Sequence, residues 1–311
     1  MPKAGRKLDL AAWVWVLVAG VATFELVAHA LIERAIPTDQ SWEAASSFVR
    51  ARYQPSDRIV GAPSWVDPIV RSELGDLLSL RRAAPSDLAG IDRIWEVGIR
   101  GATTRTEPPA LEEEFGRVRV RMWPVTTDRV VYDFVEEVRD AEVELVRSDE
   151  AKTCPWMKVR AGEGGLGRGP MAPSERFVCD PDRPWLWVAA TVLADLDLQP
   201  RRCIWQHPAG TDPVRVTFRN VPLGERLVIR GGIDYFSERR RIFGPVTLRV
   251  FVDDRLAAEL VHDDGDGWSG IEVDTSALGL DRAVVRFEST AQDPSARSFC
   301  WAASTRLASG R

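Results

Sequence analysis

The segment HDDGDGW, His262 to Trp268, gathers three carboxylates and an indole within one short stretch. Clustered Asp with Gly can offer oxygen ligands to Ca²⁺, so Asp263, Asp264 and Asp266 are the metal candidates. Their spacing departs from D-x-[DN]-x-[DN]-G-x₅-E, and D-G pairs are equally at home in solvated turns. No cofactor is therefore required; a structural Ca²⁺ is the one ion the loop suggests. Upstream, DYFSERRR sets Tyr235 and Phe236 between Asp234 and the run Arg239 to Arg241. Aromatic faces stack on the C–H side of a pyranose while Asp and Arg bond its hydroxyls. Asp234, Tyr235, Phe236, Arg239, Arg241 and Trp268 thus make a candidate sugar-binding set. The opposing reading is that the rings merely close the end of a folded domain. The arginine run could also meet anionic headgroups or phosphorylated glycans, or stay solvated.

Catalysis finds less support. There is no G-x-S-x-G elbow and no H-E-x-x-H, and no phosphate-binding glycine motif follows any expected strand. GEGGLGRG, from Gly162, reads as a loop rather than a phosphate cradle. Asp195 and Asp197 alternate along a strand-like run, as on any surface strand, and His207 and His262 lie beside turn residues. No catalytic residue is assigned. A net charge of -5 gives no basic face for nucleic acid.

These groups must be placed by the elements around them, and the compartment comes first. Leu10 to Ile32 is apolar except for Glu25 and His29, and at about 1.5 Å per residue it spans a hydrocarbon core of about 30 Å. Lys3, Arg6 and Lys7 precede it, so the basic tail stays cytoplasmic and the bulk of the chain is extracytoplasmic. The expected location is the cell membrane, single-pass. The alternative is secretion after cleavage at the small-x-small site Ala28 to Ala30. Glu25 and His29 are four apart on one helical face, where they either reach the headgroups or dock a partner helix. Cys154, Cys179, Cys203 and Cys300 all lie on the exported side and lack zinc-ligand spacing. Of three possible pairings, Cys154–Cys179 closing a Gly/Pro-rich excursion and Cys203–Cys300 tying two strands are favoured; buried free thiols are the alternative.

The fold class expected is α+β multidomain: residues 1–36 as tail and transmembrane anchor or signal peptide, 37–135 as a small α/β domain, and 136–311 as a β-sandwich. In the middle region, a helix ends before Pro55, DRIVGAP is a strand, Pro68 to Leu80 a helix, RIWEVGI a strand, PPALEEEFG a short helix, and VRVRMWPV and RVVYDFV two more strands. That alternation implies a partly parallel sheet covered by helices. From Ala141 onward, short alternating runs separated by Asp, Gly, Pro and Asn imply a jelly-roll-like sandwich, with a hairpin turning at Asp253–Asp254.

The helix followed by PSDRIVGAPSWVDP and IDRIWEVGIRG resembles the exported C-terminal region of bacterial GT-C-type membrane glycosyltransferases, over about residues 37–135. Those enzymes carry many membrane helices; this chain offers one span and no catalytic loop, so no catalytic residue carries over. WSGIEVDTSAL and FCWAASTR resemble galactose-binding-like and carbohydrate-binding sandwich modules. Together the resemblances imply a glycan-binding or accessory protein, with the membrane, an envelope glycan and a polytopic membrane glycosyltransferase as partners. A glycan-modifying enzyme and a purely structural interaction protein are the alternatives.

Overall fold

The computed structural model describes residues 10–148, 150–162 and 171–308. Lys3, Arg6, Lys7, Asp9 and most of the glycine-rich stretch after Gly162 lie outside the described residues. The chain divides into two compact units, Met1–Leu77 with Arg93–Pro124, and Leu78–Asp92 with Val125–Arg311.

In the first unit, α1 (Leu10–Ala35) is long and apolar enough to cross a membrane. Its large side chains are bare, Trp15 at 73% exposure and Leu26 at 72%. α2 (Asp39–Arg50) starts where the Thr38 hydroxyl accepts the Ser41 N–H, and it buries Trp42, Ala45 and Val49 at helical spacing. β1 (Asp57–Ala62), α3 (Asp67–Leu74), β2 (Arg93–Ile99), β3 (Leu111–Phe115) and β4 (Val118–Pro124) complete it. The sheet order is β1-β2-β4-β3, with β1 and β2 parallel and the other pairs antiparallel. Two carboxylates are buried and satisfied. Asp57 accepts from Arg93 and from Trp95 Nε1 (2.9 Å), and Glu96 from Arg121 (2.8 Å) and the Thr104 hydroxyl (2.6 Å). Buried charges persist only when so paired.

The helix expected at PPALEEEFG is instead the edge strand β3. Register places Glu112 opposite Arg121 and Glu114 opposite Arg119, and both form ion pairs. Cross-strand charge pairing outweighs the local helix preference of consecutive Glu.

The second unit begins with a strap, Leu78–Asp92, holding the one-turn helix α4 (Leu80–Ala83). Strands follow as β5 (Arg129–Asp133), β6 (Glu142–Arg147), β7 (Glu150–Thr153), β8 (Trp156–Lys158), β9 (Glu175–Val178), β10 (Trp187–Ala194), β11 (Pro200–Gln206), β12 (Val214–Pro222) and β13 (Arg226–Ile233). After α5 (Tyr235–Glu238) come β14 (Val246–Val252), β15 (Arg255–His262), β16 (Ser269–Asp274), β17 (Arg282–Ala291) and β18 (Phe299–Leu307). One sheet runs β16-β13-β18-β11-β10-β9-β8 with β5 on β18; the other runs β15-β14-β17-β12-β6-β7. Val214, Val216 and Phe218 of β12 are buried while Arg219 is exposed, the period of two that one covered face demands. Between the sheets, Phe134, Phe218, Phe287 and Trp301 join one core. The β14–β15 hairpin turns at Asp253 and Asp254, both at positive φ as a two-residue turn requires. The cysteines pair as Cys154–Cys179 and Cys203–Cys300.

Two boundaries differ from the sequence reading. RVVYDFV supplies β5, which pairs with β18 of the sandwich rather than with the α/β sheet. The strap also packs with the sandwich: Arg202 N–H donates to the Ala84 carbonyl (2.7 Å), and Asp87 takes Arg306 (2.6 Å) and Arg230 (3.2 Å). These contacts join residues more than a hundred positions apart, beyond the reach of local pattern.

Candidate functional site

β13 ends at Ile233, and Asp234 caps the turn that follows. Its Oδ1 accepts the Phe236 N–H (3.0 Å), its Oδ2 takes the Ser237 hydroxyl, and its own N–H donates to the Ser298 carbonyl (3.1 Å). Asp234 is buried, and its carboxylate organises this loop. Tyr235 and Phe236 meet edge to face at 5.1 Å, both half-buried. The exposed Arg239 guanidinium lies 5.2 Å from the Tyr235 centroid and 5.1 Å from that of Phe236. Arg241 is exposed and reaches across to Gly265.

The Asp-rich loop sits beside this turn because two buried side chains fasten it there. Glu238, fully buried, accepts the N–H groups of Gly265 (3.2 Å) and Gly267 (2.7 Å). Both glycines have positive φ, a region that side chains with a Cβ disfavour. The buried His262 Nε2 stands 3.4 Å from the same carboxylate. Arg297, also fully buried, donates to Asp264 Oδ1 (2.9 Å) and to the Gly244 carbonyl (3.0 Å), while Asp264 Oδ2 accepts the Phe243 N–H (3.1 Å). The segments 234–244, 263–268 and 294–298 therefore form one braced loop end.

The candidate metal ligands do not converge there. Asp264 faces Arg297, Asp263 Oδ1 accepts the Asp264 N–H (2.8 Å), and Asp266 Oδ2 accepts the Asp263 N–H (2.9 Å). Among the described residues no three His, Cys, Asp or Glu side chains are grouped to hold a metal ion. Trp268 joins the loop end by sequence, and its indole meets the strap. Its Nε1 donates to the Ser86 carbonyl (2.8 Å), its ring lies on Gly232, and the Arg201 guanidinium stands 5.9 Å from it. Asp195 is not part of a strand face: it closes a turn, accepting from the Asp197 and Gln199 N–H groups and from Arg201 (2.7 Å). On α1, Glu25 and His29 are exposed, and His29 meets Glu33 at 3.1 Å. Sequence reasoning missed Glu238 and Arg297, since a charged residue in a loop gives no sign of its burial.

No family model matches the chain, and no curated protein matches it. Among solved structures it is similar to the second CBM51 domain with the INT domains of Clostridium perfringens ZmpB in complex with GlcNAc. Identity there is 16%, over 68% of this chain and 40% of that one, with a TM-score of 0.31. It is also similar to the tandem CBM51 modules of the Streptococcus pneumoniae family 98 glycoside hydrolase Sp3GH98, at 12% identity over 62% and 56% of the two chains, TM-score 0.31. A third likeness is to CBM51 from Clostridium perfringens GH95 in complex with methyl-galactose, at 9% identity, 38% and 79% coverage and TM-score 0.25. The chain spans less than half the length of the first of these, and the scores describe a loose likeness of fold.

Proposed function

We propose that the chain is a membrane-tethered, extracytoplasmic glycan-binding protein whose site is the braced loop end of the sandwich. The carrying observation is the Tyr235–Phe236–Arg239 cluster, two edge-to-face rings beside one guanidinium, presented at the surface by a loop whose buried supports are Asp234, Glu238 and Arg297. Ring faces give a pyranose an apolar platform, and Arg239 and Arg241 give its hydroxyls donors. The length and apolarity of α1 support the tether, and two disulfides support an oxidising compartment. A tether raises the effective concentration of the module near membrane-attached glycans. On this reading the Glu25–His29 face of α1 docks a polytopic glycosyltransferase, and a Glu25→Leu/His29→Leu variant loses that partner in co-purification.

The direct test is glycan-array binding by the full chain in detergent micelles. The expected outcome is a saccharide signal that falls at least about tenfold in Tyr235→Ala and Arg239→Ala, about 1.4 kcal/mol. An array with no signal, or a signal indifferent to both variants, rejects the site.

A further inference from the structure

A concavity of the sandwich unit lies between the strap, β5, β11 and β18. Its charged wall consists of Arg81, Arg82, Asp87, Asp133, Arg202 and Arg306, with Ser86 and Ser304 beside them. Arginines exceed aspartates by two. The free space is about 40 Å³. At roughly 10–15 Å³ per water-sized group, that admits a few such groups, the size of one carboxylate or phosphate head rather than a whole saccharide ring.

Arg81, Arg202 and Arg306 are held in place without being saturated. Arg306 donates from Nε to the Ser304 hydroxyl (2.8 Å) and from Nη2 to Asp87 (2.6 Å). Arg202 grips Glu136 with two bonds (2.8 and 3.1 Å), Arg82 donates to the Gly90 carbonyl (2.8 Å), and Arg81 stands 3.4 Å from Asp133. A guanidinium carries five N–H donors in a planar fork, and these bonds engage a part of that set on Arg81, Arg202 and Arg306. Prepaid ordering of this kind lets a rigid fork bind an oxyanion with little further loss of side-chain entropy. Asp133 lies on the same wall, where its carboxylate accepts the Val135 N–H (3.0 Å); burial pushes its carboxyl upward against the pull of Arg81.

We propose that this arginine-walled pocket binds the oxyanion head, a carboxylate or a phosphate, of an acidic ligand. The site uses none of Tyr235, Phe236, Arg239 or Arg241, so it stands or falls separately from the loop-end reading.

The test is isothermal titration of the full chain in detergent micelles at low salt, with inorganic phosphate and D-glucuronate as probes and D-glucose as the neutral control. At least one anion should bind with a Kd of about 1 mM or tighter, and Arg202→Gln or Arg81→Gln should weaken it about tenfold or more. Arg249→Gln, at an exposed arginine of β14 outside both sites, should leave it unchanged. Binding of phosphate alone assigns a phosphorylated ligand, and binding of glucuronate a carboxylate-bearing one. Arg202→Gln also removes the Glu136 pair; if it fails to fold, the half-exposed Arg81→Gln decides alone. The proposal is overturned by silence from both anions, by glucose binding as well as they do, by unchanged affinity in the folded Arg81 and Arg202 variants, or by equal loss in Arg249→Gln.

Discussion

Asp264→Ala removes the carboxylate that forms an ion pair with a fully buried guanidinium. The Arg297 side chain is 0% exposed and that of Asp264 5%, so solvent cannot take over the lost partner. Arg297 would keep the Gly244 and Ala296 carbonyls at 3.0 and 3.3 Å but lose its ion-pair partner. Breaking a buried pair from one side destabilises by about 3–5 kcal/mol, because the remaining charge stays desolvated. In a unit of this size each kcal/mol moves Tm by about 2–4 °C, so a fall of roughly 6–20 °C is expected. Calorimetry of the full chain in detergent reads it from the sandwich transition. The cause is isolated by repeating Asp264→Ala in an Arg297→Met background, where no buried charge is orphaned. The loss of the Phe243 N–H acceptor is common to both backgrounds and cancels. The second loss should be smaller by about 2 kcal/mol or more. A fall under about 2 °C in the first background, or equal falls in both, refutes the claim that this ion pair braces the loop end.

Three further outcomes follow from the sandwich unit. Gly232→Ala would bring a Cβ to 2.9 Å from Trp268 Cε3, whereas nothing lies within 4 Å of a Cβ at Gly244. The first should lower stability by about 1–3 kcal/mol and Gly244→Ala by less than about 0.5 kcal/mol, as read from denaturant midpoints. His207 is buried and its pKa is lowered to about 4, with desolvation the largest cause. The unfolded chain therefore holds one more proton between about pH 4 and 6.5. Stability is fully present above that window and falls with acidification, by about 3 kcal/mol in all; His207→Gln should flatten this part of the Tm–pH curve. The disulfides close loops with separations of 97 and 25 residues. Loop entropy then makes Cys203–Cys300 worth about 4.7 kcal/mol and Cys154–Cys179 about 3.5 kcal/mol. Paired Cys→Ser variants should rank in that order in urea.

What the sequence could show was whatever depends on near neighbours. The apolar period of two in β12, the Asp-Asp turn of the β14–β15 hairpin and the uninterrupted greasy run of α1 are all local, and all are where the residues put them. LEEEF misled for the complementary reason: three glutamates in a row favour a helix until arginines on an adjoining strand neutralise them, and Arg119 and Arg121 are informative only once the register is known. The loop end was legible in part. Tyr235, Phe236, Arg239 and Arg241 announce themselves by type, but Trp268 looked like a platform and is tied instead to Ser86, on a strap nearly two hundred residues earlier. The arginine pocket was illegible altogether, since Arg81, Asp133, Arg202 and Arg306 come from four distant segments and each looks like ordinary surface charge.

The buried polar groups show how this module separates binding from folding. Its interior between the sheets is mostly apolar and aromatic, with Gln206 bonded to Trp301 and the Val214 carbonyl, whereas Asp234, Glu238, His262 and Arg297 are buried at one end, under loops that have no strand ladder to hold them. Asp234, Glu238 and Arg297 anchor backbone N–H or carbonyl groups that would otherwise face an apolar environment unpaired, a loss of about 1–3 kcal/mol apiece. Tyr235, Arg239 and Arg241 sit outside that network and contribute little to it. Substitutions in the outer set should therefore abolish ligand contacts with Tm nearly unchanged, while substitutions in the inner set should lower Tm and loosen the site together. A loop end whose outer residues proved as important to stability as Glu238 or Arg297 would be an ordinary hydrophobic closure of the sandwich, and the case for a binding surface there would end.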